Sequence, residues 1–143
     1  MGLKTENSEL KRLFSKQQTA VLVVLGMAFW FCGAMAVRFG SDVGMFGKTG
    51  SVFSFLIALP VSWISVLLIM KAAKLKADQI IPGVSLGLLT ATFLDGIVLT
   101  WGTQLYGTDA GLIGLDAAWI LWGAFTFLAF AFIEAWRRGL KLV

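Results

Sequence analysis

Asp95 is the residue of this chain whose type and setting most invite chemistry. It stands in Phe93-Leu94-Asp95-Gly96, between the uncharged stretches 79–94 and 96–108. Read as helix, it lies six residues before Trp101, about 9 Å of helical rise. In a membrane that depth is the outer half of the hydrocarbon layer, where an unpaired charge costs at least about 2.5–3.5 kcal/mol. Asp95 is therefore expected to face protein rather than lipid, and to be protonated, paired or in contact with water. Two roles fit: a carboxylate coupled to a proton or cation, and a paired carboxylate that fixes helix packing. Arg38, in Val37-Arg38-Phe39, is the expected charged partner. Its Cα should lie about 7 Å further out, a gap the long side chain can bridge. The competing fate of a terminal Arg is to snorkel toward the headgroups. Thr92, about one turn before Asp95, offers a hydroxyl on roughly the same face.

Glu134 is the second ionic candidate. Arg137 at i+3 and Arg138 at i+4 are both in reach of it on a helix, beside the anchor Trp136. Asp109 and Asp116 fall near the start of the last apolar run, and one of them is expected to cap a positive helix end.

Other chemistries lack their residues. The chain has no His, which removes His-ligated haem, His general bases and Ser-His-Asp triads, and its single Cys removes a disulfide framework or a Cys-cluster metal site. No metal, cofactor or catalytic set is expected, although contact with lipid, quinone or pigment stays open. The segment Asp42 to Thr49 imitates a phosphate-cradling loop, with Gly47-Lys48-Thr49 at its end and Asp42 in place of its first Gly. That loop must follow a strand, and here it follows a long apolar run, so no nucleotide is expected.

The elements that position these residues are set by composition. Of 143 residues, 58% are hydrophobic and 14% charged, with a mean hydropathy of +0.85. Soluble domains carry about 25% charged residues, so a water-soluble globule is not expected. Uncharged runs cover 17–37, 49–70, 79–94 with 96–108, and 117–133. A bilayer core of about 30 Å takes about 20 apolar residues as helix, so these runs predict four transmembrane helices near 18–39, 51–70, 80–101 and 113–136. The runs lack the polar–apolar alternation of a membrane barrel. The expected fold is all-α: a compact bundle of two hairpins over 18–138, with a basic segment 1–17 before it and a short tail 139–143 after it. Ala34-Met35-Ala36 fits a leader-cleavage site, but the apolar run is longer than the usual 7–15 residues, so 18–39 is read as a helix.

Ten of the twelve Lys and Arg fall in 1–17, 71–76 and 137–141; Arg38 and Lys48 are the exceptions. The positive-inside rule then puts both termini in the cytoplasm, in a cell inner (plasma) membrane. The net charge of +4 is thus a topology signal rather than a sign of nucleic-acid binding.

Small residues mark close helix packing. Gly26, Gly33 and Gly40 recur every seven residues, and Gly83 and Gly87 form a G-x-x-x-G. Pro60, in the middle of the second run, removes the amide that would serve the Leu56 carbonyl and is expected to kink the helix. Trp30 and Trp63 fall deep, where they line a hydrophobic ligand site or simply fill space.

At Val37-Arg38-Phe39-Gly40, Pro60-x-x-Trp63 and Phe93-Leu94-Asp95-Gly96-Ile97-Val98-Leu99 the chain resembles a family of small bacterial four-helix integral membrane proteins of unknown function. The resemblance implies a fold but no activity or ligand. Two functions remain as expectations. One is a non-catalytic accessory subunit, surrounded by membrane lipids and packed as a homo-oligomer or within a larger membrane complex. The other is a small proton-coupled transporter or hydrophobic-ligand-binding protein using Asp95.

Overall fold

The computed structural model describes residues 13–47, 49–107 and 110–141. Lys4, Lys11, Arg12, Lys48 and Asp109 lie outside the described residues. Four long helices dominate: α1 (Lys16–Asp42), α2 (Gly50–Ala72), α3 (Ile80–Trp101) and α4 (Ala110–Arg137). Each is long and apolar enough to cross a membrane. The expected bounds are met within three residues.

Local chemistry explains several ends. A capping box opens α1: Ser15 Oγ accepts from the Gln18 amide at 3.1 Å, and Gln18 Oε1 accepts from the Ser15 amide at 3.0 Å. Between α1 and α2 the chain reverses at Gly44, whose φ of +75° suits a residue without Cβ. α2 continues as helix through Pro60. One turn earlier, neighbouring indoles donate to its backbone: Trp119 Nε1 to the Ser54 carbonyl at 3.2 Å and Trp122 Nε1 to the Phe55 carbonyl at 3.0 Å.

The packing order is not the chain order. α1 lies against α3, α3 against α4, and α4 against α2, while α1 and α2 hardly touch. The expectation of two self-packed hairpins is corrected for the first: the chain turns between α1 and α2, but those helices part. The reason is where close approach is possible. A Cβ on Gly26 would sit 2.4 Å from the Gly87 carbonyl oxygen, so these glycines let the α1 and α3 backbones meet. α2 is drawn to α4 by the two indoles and by a buried hydroxyl pair, Ser62 Oγ and Thr126 Oγ1 at 2.7 Å.

Two apolar cores occupy opposite ends. The first gathers Leu22, Val66, Leu75, Ile80, Ala131 and Ala135, with Phe14 and Leu140 against it. It brings together the start of α1, the α2–α3 turn and the end of α4. Gln18 and Gln79 stitch this end: Gln18 Nε2 donates to the Ala73 carbonyl at 3.1 Å, and Gln79 Nε2 to the Leu13 carbonyl at 2.6 Å. The second core holds Ala34, Val37, Phe46 and Tyr106, with Trp119 packed on it.

Candidate functional site

Between the two cores, the parting of α1 from α2 leaves a cavity of about 330 Å³. All four helices line it: α1 through Trp30 and Gly33, α2 through Ser62 and Ser65, α3 through Gly87 and Asp95, α4 through Trp119 and Phe127. Its rim includes the exposed side chains of Cys32 on α1 and Ile57 and Val61 on α2. The volume falls at the lower end of the about 300–1,000 Å³ usual for small-molecule sites. The walls are apolar apart from the two serines, the Trp30 indole nitrogen and Asp95. Phe29 and Phe127 meet edge to face inside the lining, with centroids 5.8 Å apart.

Asp95 is held by two donors. Trp30 Nε1 donates to Asp95 Oδ1 at 3.0 Å, and the Tyr106 hydroxyl donates to the same oxygen. Trp30 reaches it because α1 and α3 cross closely at Gly26 and Gly87, one turn below Trp30 on α1. Tyr106 reaches back from a short 3-10 turn, 103–105, that follows α3. Its ring is fully buried in the second core. Burial, and then the hydrogen bond and charge of Asp95, push the Tyr106 phenol above its ordinary pKa, so it remains a donor at neutral pH.

The expected partners of Asp95 lie elsewhere. Arg38 turns to the Gln104 carbonyl, to which its Nη1 donates. At the end of α1 a backbone acceptor takes up the guanidinium. Thr92 donates to the Leu88 and Leu89 carbonyls of its own helix, at 2.9 and 3.2 Å, on an exposed face.

Glu134 is almost fully buried and takes two donors on Oε1: Arg137 Nη1 at 2.7 Å and Trp63 Nε1 at 2.9 Å. The Trp63 ring stacks on Phe130, centroids 6.4 Å apart. Among the described residues Glu134–Arg137 is the only ion pair. Arg138 is exposed, and only its backbone amide bonds to Glu134, at the carbonyl. Replacing Arg137 by Met should lower stability by about 1–2 kcal/mol, since the Arg is half exposed but its partner is not. Glu134→Gln should restore most of the loss, and Arg138→Met should leave thermal unfolding in detergent unchanged. Equal effects of the two Arg substitutions would contradict this arrangement.

Asp116 does not cap α4. It sits six residues inside the helix, is buried, and accepts from Ser41 Oγ of α1 at 2.9 Å. The glycines divide by use. Gly26, Gly83 and Gly87 serve packing; a Cβ on Gly83 would meet the Leu75 side chain at 2.7 Å. A Cβ on Gly40 would meet the Phe46 ring at 2.9 Å and Met45 at 3.1 Å, so it accommodates its own loop rather than another helix. Gly33 has nothing within 4 Å of its Cβ position and opens onto the cavity. Pro60 is exposed and is not part of the cavity wall.

Sequence reasoning missed Tyr106 and the indole donors of both carboxylates. A signal existed: Tyr106 is the only tyrosine of the chain and follows α3 by a few residues. Which buried carboxylate each Trp would reach depended on which helices pack together. Comparisons with protein-family models, with curated proteins and with solved structures returned no significant match.

Proposed function

We propose that this protein is a non-catalytic integral membrane protein that binds a small hydrophobic molecule between its helices. The observation that carries the reading is the apolar cavity of about 330 Å³, lined by all four helices and flanked by exposed apolar side chains of α1 and α2. A molecule dissolved in the bilayer would reach it sideways, between two helices that hardly touch. The outward faces support membrane residence: Phe31, Phe53, Phe93, Leu121 and Phe125 are all more than half exposed. Lys16, Lys71, Lys74, Lys76, Arg137, Arg138 and Lys141 gather at one end of the bundle and Arg38 stands at the other, which supports cytoplasmic termini. An accessory role within a larger complex has less support, since Gly26, Gly83 and Gly87 are used inside the bundle.

The test is binding of an uncharged, brominated alkylbenzene to the protein in lipid nanodiscs, read by quenching of tryptophan. Trp30 and Trp119 line the cavity, so saturable quenching is expected. Gly33→Phe should abolish the saturable part, because the new ring enters space that is now open. Quenching that only tracks lipid partitioning, identical in both proteins, would refute the reading.

A further inference from the structure

We infer that the cavity takes a small lipophilic monocation, an amine or quaternary ammonium on an apolar body, with its charge against Asp95. The inference rests on the cavity being a ligand site, as proposed above, and adds the chemical class of the ligand. Four observations point the same way.

Among the described residues Asp95 is the only acidic one in the lining, and no Lys or Arg accompanies it there. A carboxyl group in an apolar setting takes a proton, a counter-charge or a full set of donors. Its donors are both neutral, and both bind Oδ1. Two neutral donors on one oxygen engage that oxygen and bring no counter-charge. Among the described residues Oδ2 accepts no hydrogen bond from the protein, and Asp95 borders the cavity. The one basic side chain at this end of the described bundle, Arg38, is committed to the Gln104 carbonyl. Among the described residues no side chain supplies the positive charge that would complete the site, and a ligand can bring it.

The remaining walls suit such a ligand. Phe29, Trp30, Trp119 and Phe127 put aromatic rings around the same space. Aromatic faces attract cations, more strongly when water is excluded, and they repel anions. Ser62 is engaged with Thr126, which leaves Ser65 as the other hydroxyl among the described lining residues. A ligand with an apolar body and a single positive centre matches this distribution. An anion would meet Asp95 with like charge, and a neutral hydrocarbon would leave Asp95 uncompensated.

Two competitors of the same shape decide the matter: benzyltrimethylammonium and neopentylbenzene, which differ only in nitrogen against carbon at the quaternary centre. Each is titrated against the brominated probe bound to the nanodisc protein, at matched concentration in the lipid phase. The cation should displace the probe at a concentration at least about tenfold lower, as expected for one desolvated carboxylate with aromatic support. In Asp95→Asn, which keeps an acceptor for Trp30 and Tyr106, that ratio should fall to near one. Equal or better displacement by the hydrocarbon in the wild-type protein would overturn the cation assignment and leave the cavity a ligand site. A ratio unchanged by Asp95→Asn would also overturn it. If the probe itself shows no saturable binding, the ligand-site reading fails, and the cation assignment falls with it.

Discussion

A leucine at position 26 is expected to lower the stability of the bundle by about 3 kcal/mol, while an alanine at position 33 should leave it unchanged or raise it by up to about 1 kcal/mol. Both glycines lie on α1 and belong to the same seven-residue spacing. They differ in what a side chain would meet. At Gly26 the first carbon would already stand 2.4 Å from the Gly87 carbonyl oxygen and 3.0 Å from Thr90 Cβ. The nearest obstacle is backbone, which cannot rotate aside, so α1 and α3 must separate. At Gly33 there is nothing within 4 Å. Even Gly26→Ala should destabilise, by about 1–2 kcal/mol, although Ala is the better helix former. Reversible unfolding in mixed micelles, monitored by tryptophan fluorescence, reads these differences. Equal stability of Gly26→Leu and wild-type protein would show that the α1–α3 crossing is not where it is described. Because that crossing also sets the reach of Trp30 to Asp95, Gly26→Leu should lose probe binding as well.

Removing the Asp95 carboxyl is the second large perturbation. Asp95→Ala leaves the Trp30 N–H and the buried Tyr106 O–H without an acceptor, at about 1–3 kcal/mol for each stranded donor. A loss of about 2–4 kcal/mol is expected, because neighbouring groups relax toward the stranded donors. Asp95→Asn keeps an oxygen in place and should cost under about 1 kcal/mol. The double-mutant cycle identifies the partner. Asp95→Ala combined with Tyr106→Phe should cost less than the two losses added, since the phenol is no longer there to be stranded. Asp95→Ala combined with Arg38→Gln should be additive, because Arg38 bonds to the Gln104 carbonyl instead. Strong coupling to Arg38 and none to Tyr106 would reverse the assignment.

The Asp95 site divides what could be read in one dimension from what could not. That Asp95 needs compensation followed from one carboxylate in a long apolar run. That Arg38 would supply it followed from charge and from expected depth, and Arg38 bonds to the Gln104 carbonyl instead. Arg38 lies at a helix end, beside the Gln104 carbonyl, which it reaches without being drawn into an apolar interior. The donors that Asp95 did receive are neutral and aromatic. One lies midway along α1 and the other just past the short 3-10 turn that follows α3. Glu134 went differently: its ionic partner at i+3 follows from helical geometry, whereas Trp63, on another helix, does not.

The number of long helices, their bounds within three residues and the gathering of basic residues at their ends are local properties of the chain. Each depends on how long an apolar run lasts and where charge interrupts it, and a helix satisfies its own backbone whatever its neighbours. Tertiary structure decided which helices meet. An apolar helix surface gains little by leaving lipid for another apolar surface, so hydropathy carries almost no record of neighbours. The choice fell to close backbone approach at Gly26 and Gly87 and to a few interhelical hydrogen bonds between α2 and α4. With α1 committed to α3, and α2 to α4, the first two helices part. The space between them puts Asp95 against a cavity rather than a packed interface.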